Sequence, residues 1–222
     1  MLFRNRAEAG RLLANHLKDY ANRTDVIVLA LPRGGVPVAF EVAEALRAPL
    51  DIYVVRKLGV PGREELAMGA IATGGVRVTN AEVVSHFHVG REDFESVSAR
   101  ESAELERRER EYRGGRPAPD LSGRTVILVD DGLATGSTMR AAAAALRRQG
   151  PARIVVAVPV GAPQTCEEFR EEVDEVVCAV TPEPFHGVGQ WYDDFSQTSD
   201  RDVHMLLGRT VARGARDAPD EL

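Results

Sequence analysis

Short, wholly apolar runs alternate along this chain with longer amphipathic stretches. Residues 26–31, 126–129 and 154–160 carry almost no polar side chain. Runs of that length without polar alternation predict strands buried on both faces. Between them lie helical patterns. The first begins near Asn5, with Glu8 three positions on as a capping box, and sets Ala9, Leu12, Leu13, His16, Leu17 and Tyr20 on one face. Residues 38–46, 139–146 and 163–172 also read as helices, and 52–55 and 173–180 as further strands. A final helix presents Val203, Leu206, Leu207, Thr210 and Val211. Strand–helix–strand repetition predicts an α/β fold with a mostly parallel central sheet, flanked by helices and joined by right-handed crossovers.

Two regions break this rhythm. Residues 56–65 form a basic, then acidic, loop with Gly59, Pro61 and Gly62, and 68–78 hold three glycines and read as a hairpin. Residues 82–113 are polar and helical, with Glu104–Arg108, Glu106–Arg110 and Glu109–Arg113 spaced for i,i+4 pairs on a solvated face. Residues 114–119 form a turn or linker. Residues 181–196 are irregular, and three aromatics fall within five positions there although only 5% of the chain is aromatic. The expected organisation is one domain over 1–213. It has a flap and helical insertion at about 56–116, a hood at about 181–198 and a frayed tail at 214–222.

Composition narrows the function classes. Of 222 residues 44% are hydrophobic, and the formal net charge is −6, which leaves no basic footprint for nucleic acid. No apolar run approaches a membrane span, and the first residues lack the apolar core of a signal peptide. Cys166 and Cys178 read as two reduced, buried thiols without zinc spacing, which predicts a cytoplasmic protein.

Residues 126–138 carry the most chemistry. An apolar strand delivers Asp130 and Asp131, then Gly132, Leu133, Ala134, Thr135, Gly136, Ser137 and Thr138 lead into a helix. Amides at a helix N-terminus point at an anion, and the hydroxyls add donors. Two adjacent carboxylates would repel phosphate. They make sense if the ligand also brings sugar hydroxyls or a metal ion. Position 137 has no Lys beside it, so this is not a nucleotide P-loop, and no G-x-G-x-x-G fingerprint follows any predicted strand.

This run resembles the phosphoribosyl pyrophosphate motif of the type I phosphoribosyltransferases. The wider layout, including Arg56-Lys57-Leu58-Gly59 and Gly189-Gln190-Trp191-Tyr192, looks most like bacterial members of unassigned acceptor. The resemblance implies a magnesium-dependent transfer of phosphoribose to a nitrogen base, with release of pyrophosphate. It implies that Thr135, Gly136, Ser137 and Thr138 hold the 5-phosphate, and that Asp130 and Asp131 face the ribose hydroxyls and the magnesium–pyrophosphate region. Arg33, Gly34 and Gly35, after the first strand, would form the pyrophosphate loop. Lys57 and Arg56 would face pyrophosphate at the base of a mobile flap. Ala134 stands where 6-oxopurine enzymes place an acid, which argues against hypoxanthine or guanine. Trp191 and Tyr192 are candidates to stack on the acceptor base. The alternative for the aromatic segment is that Trp191 and Phe195 plug the core. His86, His88 and His186 complete no metal site. The partners implied are phosphoribosyl pyrophosphate and a base, without nucleic acid or membrane, and a homodimer is compatible with them. A sensor or regulator that binds the same ligand without turnover would share every one of these features. So would hydrolytic or salvage chemistry on another phosphorylated ribose.

Overall fold

The computed structural model describes residues 2–217. Five parallel strands form the central sheet in the order β2-β1-β6-β7-β8, with β1 Val26–Ala30, β2 Leu50–Ile52, β6 Thr125–Val129, β7 Arg153–Val160 and β8 Glu175–Val180. Every residue of β1 and β6 is buried, as their unbroken apolar runs require. The mostly parallel sheet read from the sequence is therefore present.

Helices cover both faces. On one lie α1 Arg6–His16 and α2 Gly35–Leu46, which pack with Val28, Ala30, Ile127 and Val129. On the other lie α5 Ser137–Arg147 and α6 Pro163–Glu168, whose Met139, Ala142, Leu146 and Cys166 meet Ile27, Leu29, Leu128 and Val156. Asn5 caps α1 by accepting from the Glu8 amide at 3.0 Å. The Glu8 carboxylate returns to the Arg4 amide, one residue earlier than in a standard capping box. Leu12 and His16 point outward.

The region expected as a loop and hairpin is a second, antiparallel sheet of β3 Val55–Val60, β4 Arg63–Ala72 and β5 Val76–Thr79. It is buried through Leu58, Val60, Met68, Ala70, Ile71 and Ala72, whereas residues 63–66 stand exposed. The polar stretch that follows is two helices, α3 Ala81–His86 and α4 Arg91–Arg113.

Helix α4 corrects the reading of a purely solvated face. Its Leu105 and Tyr112 enter the core, and Arg113, only 4% exposed, binds Asp51 at 3.0 Å, Glu109 at 2.8 Å and the Ile52 carbonyl at 2.9 Å. The guanidinium serves the parting end of β2, so the charge run conceals a packing side. Of the expected i,i+4 pairs, Glu104–Arg108 and Glu109–Arg113 form.

The final helix, α7 Asp200–Asp217, buries Val203 and Leu207. It runs past the expected start of the frayed tail. The rest of that tail, 218–222, lies outside the described residues. A second correction concerns the cysteines. They are not free thiols: Cys166 on α6 and Cys178 on β8 are joined by a disulfide of 2.11 Å. Gly161 makes the room, since a Cβ there would overlap the Cys166 sulfur. The step from free thiols to a reducing compartment thus loses its premise. No helix among the described residues is long and apolar enough to cross a membrane.

Candidate active site

The loops after β1 and β6 meet at the carboxyl edge of the sheet, where open α/β folds bind ligands. After β6 the chain turns through Asp130 and Asp131 into α5. Gly136 precedes that helix with φ +73°, a left-handed conformation that favours glycine. A Cβ there would also strike Phe169. No side chain caps α5, so its first-turn amides are left for a ligand. They open into a cavity of about 150 Å3 lined by Asp130, residues 132–139 and Val188. Thr135 to Thr138, expected to hold the 5-phosphate, are thereby gathered with Ala134 around one hollow.

Three contacts brace this loop from outside. Leu133 pairs with Gly161 at the end of β7. Thr165 of α6 donates to the Ala134 carbonyl at 2.7 Å, and Arg140 to the Thr135 carbonyl at 2.8 Å. Arg140 is itself held by Glu168 and Glu172, both at 2.7 Å.

The loop after β1 interlocks with the acids. Helix α2 starts from Gly34 without a side-chain cap, and the Pro32–Arg33 peptide is cis. Gly34 has ordinary right-handed helical angles, so its need for glycine is a need for space: a Cβ would overlap the Asp131 carboxylate. A Cβ on Gly35 would press on the Val129 carbonyl and Asp130. The loops expected to hold pyrophosphate and ribose are packed against each other.

Electrostatics at the acids are unusual. Burial, and then the charge of Asp131, push the Asp130 carboxyl well above the usual carboxylate range. Its protein partner is the Asp131 amide, at 2.8 Å. Burial also raises Asp131, but Arg6 opposes it. Arg6 Nε and Nη2 both lie 2.8 Å from Asp131 Oδ2. Sequence reading missed Arg6, because a lone arginine at the start of a helix gives no sign of a partner 125 positions away.

The expected cations each have a partner. Lys57 Nζ donates to Ser137 Oγ at 2.8 Å, which joins β3 to the start of α5. Arg56 is taken up by Glu101 of α4 at 2.6 and 2.9 Å. Arg33 faces Asp200 at 3.6 Å, and Asp200 also accepts from Tyr112 at 2.7 Å.

The aromatic segment is stitched to the N-terminus. Phe3 pairs with Tyr192, its amide donates to the Trp191 carbonyl at 3.0 Å, and Asp193 and Asp194 donate to Phe3 and Arg4, both at 2.9 Å. Tyr192, expected to line the acceptor pocket, is instead 4% exposed between Phe3 and Phe195. Its hydroxyl donates to the Asp131 carbonyl at 2.6 Å. Trp191 is half-buried against Phe185, and its buried indole N–H has no protein partner. Val188 lies over Gly132 and lines the cavity, the one residue of this segment among its lining residues.

Among the described residues no group of three or more His, Cys, Asp or Glu is arranged to hold a metal. Two half-buried carboxylates, Asp130 with only an amide as protein partner, are a partial donor set. That suits magnesium, which keeps few protein ligands and shares substrate phosphates.

A family model of the phosphoribosyl transferase domain matches residues 1–193. The chain belongs to that family. Relatives from two strains of Mycobacterium tuberculosis, provisionally named phosphoribosyl transferases, are 49% identical over 221 residues, 98% of this chain. That match is 50% of their own length, so the chain spans half of these curated relatives. The crystal structure of TT1426 from Thermus thermophilus is similar over 93% of this chain and 98% of its own, with 42% identity and a TM-score of 0.83. The fold extends to the AQ2163 protein from Aquifex aeolicus, at 14% identity and a TM-score of 0.50 over 83% of this chain and 76% of that one.

Proposed function

We propose that this protein transfers the phosphoribosyl group of phosphoribosyl pyrophosphate to a nitrogen base. The carrying observation is the uncapped start of α5, entered through left-handed Gly136 and opening into a hollow lined by half-buried Asp130. A phosphate monoester answers the amides and a ribose diol answers the carboxylates. In the reaction a base nitrogen bonds to the anomeric carbon as the bond to pyrophosphate breaks. The electron pair leaves with pyrophosphate, and the nitrogen loses its proton.

The residues divide this work. Thr135 to Thr138 and the α5 amides hold the 5-phosphate. Asp130 and Asp131 lie under the ribose, where positive charge gathers in the transition state. Arg33, with the amides of Gly34 and Gly35, receives pyrophosphate, and Lys57 spans the gap from the β3–β4 hairpin. Magnesium held by Asp130 and Asp131 would neutralise pyrophosphate as it departs. Trp191 and Val188 bound the place left for the acceptor, and Ala134 adds no charge to it. Residues 1–213 act as one unit in this reading. Its cytoplasmic setting follows from the highly charged, soluble donor.

The test is a titration with phosphoribosyl pyrophosphate and magnesium, followed by a panel of bases assayed for pyrophosphate release. Binding without release on any base would favour the sensor. An unmoved melting temperature at millimolar ligand would defeat the donor site itself, since saturating ligand at a hundredfold excess stabilises by about 2.7 kcal/mol.

A further inference from the structure

Arg6 connects three parts of the molecule. Its Nε and Nη2 meet Asp131 Oδ2, both at 2.8 Å, and its Nη1 donates to the Ser196 carbonyl at 2.8 Å. Its guanidinium lies 4.0 Å from the centre of the Phe195 ring. The side chain is only 11% exposed and that of Asp131 15%, so water screens the pair little. A planar fork with this many directed donors fixes what it touches, which an ammonium could not do.

We infer that Arg6 is a positioning residue that sets the Asp131 carboxylate beneath the donor sugar and locks the aromatic segment 191–196 onto it. The inference deepens the proposed function and rests on it for the identity of the ligand. Three geometric facts converge on Asp131. Its carboxylate is fixed by Arg6, its side chain is packed under Gly34, and its carbonyl takes the Tyr192 hydroxyl. The same guanidinium bonds the Ser196 carbonyl and stacks on Phe195, in the segment whose Val188 lines the cavity. Orientation of the acid and docking of that segment are therefore one structural event. Arg6 also offsets the charge of the Asp131 carboxylate, which lowers the repulsion met by an anionic ligand.

The experiment is a double-mutant cycle with Arg6→Gln and Asp131→Asn, read as affinity for magnesium–phosphoribosyl pyrophosphate by calorimetry. Each single change should weaken binding, Arg6→Gln by about tenfold. The double variant should bind as Asp131→Asn does, because Arg6 acts through that carboxylate. Effects that multiply would overturn the inference. Emission from Trp191, the only Trp, provides a readout without ligand. Both single variants should shift it to the red as the segment loosens, and Arg6→Lys should shift it less than Arg6→Gln. Unmoved emission would also overturn the link. If the wild type binds no phosphoribosyl pyrophosphate, the proposed function fails, and Trp191 emission alone then decides the role of Arg6. Should Arg6→Gln not fold, the cycle is run with Arg6→Lys, which keeps the charge and loses the fork.

Discussion

The ammonium of Lys57 lies 2.8 Å from the hydroxyl of Ser137, the first residue of α5. A cation at the positive end of a helix is unfavourable by itself and becomes favourable once an anion joins it. In the proposed site Lys57 would thus serve the 5-phosphate side rather than pyrophosphate, as the resemblance had implied, whereas Arg33 stands on the α2 side with Asp200. Lys57→Ala should weaken ribose 5-phosphate and phosphoribosyl pyrophosphate alike, each by about tenfold or more, as for loss of a charge-assisted hydrogen bond. Arg33→Ala should weaken pyrophosphate and phosphoribosyl pyrophosphate but spare ribose 5-phosphate. Isothermal titration with the three ligands checks the division; loss of pyrophosphate binding alone in Lys57→Ala would reverse it.

Asp130 gives a pH signature. Its folded pKa is raised, chiefly by burial, above the ordinary value of 3.8. The folded state then holds its proton more tightly than the unfolded state does. Its contribution is present below the unfolded value and is lost as pH rises through the raised one. Asp130→Asn cannot lose a proton, so without ligand it should melt with the wild type near pH 4 and above it near neutrality. Turnover should nevertheless fall sharply. Parallel melting curves across that range would contradict the assignment.

Gly34→Ala is expected to separate binding from folding. The backbone there is right-handed, so alanine strains nothing locally, yet its Cβ would displace the Asp131 carboxylate. Phosphoribosyl pyrophosphate affinity should fall by about tenfold or more, while stability changes by roughly 1–3 kcal/mol, the usual range for overpacking. Ligand titration and chemical denaturation on one sample measure both.

Tyr192→Ala should behave as a core deletion, costing roughly 3–5 kcal/mol. The ring is enclosed by Phe3 and Phe195, and its hydroxyl anchors Asp131. Trp191→Ala should cost less, because the ring is only half-buried and its N–H is unpartnered. Urea melts of the two variants rank them, and equal losses would make Trp191 a plug like its neighbour.

The disulfide should contribute about 2–3 kcal/mol, as for closure of a short loop. The two cysteines are 12 positions apart. Reductant should lower the melting temperature of the wild type and leave a Cys166→Ser, Cys178→Ser variant unchanged. Thr165, next to Cys166, holds the Ala134 carbonyl, so reduction should also loosen ribose 5-phosphate binding.

The sequence was most informative where one segment carries its own explanation. The apolar runs that became β1, β6 and β7 needed no partner to be read, and residues 130–138 announce a phosphate loop within nine positions. What escaped depends on partners remote in the chain. Arg6 looks like a helix start until Asp131 is brought to it. Arg113 looks like one more solvated charge until Asp51 and Glu109 close round it. Gly59, with its register shift in the β3–β4 pairing, interrupts the alternation that would have marked a strand. Two cysteines in an otherwise thiol-free chain gave no hint that α6 and β8 would bring them together.

The fit of Gly34 against Asp131 has a consequence for how this site could change over time. The Pro32–Gly35 loop and the acidic turn are almost a hundred positions apart, yet neither has room to vary alone. A bulkier residue at 34 requires a shorter one at 131, and a longer acid at 131 has no space under the loop. Exchange of one loop for that of a distant relative should fail unless both are moved, with the guanidinium at position 6. Diversity among such proteins is therefore expected at the rim, in the exposed hairpin tip and the segment around Val188, where new acceptors can be admitted without disturbing the interlocked floor.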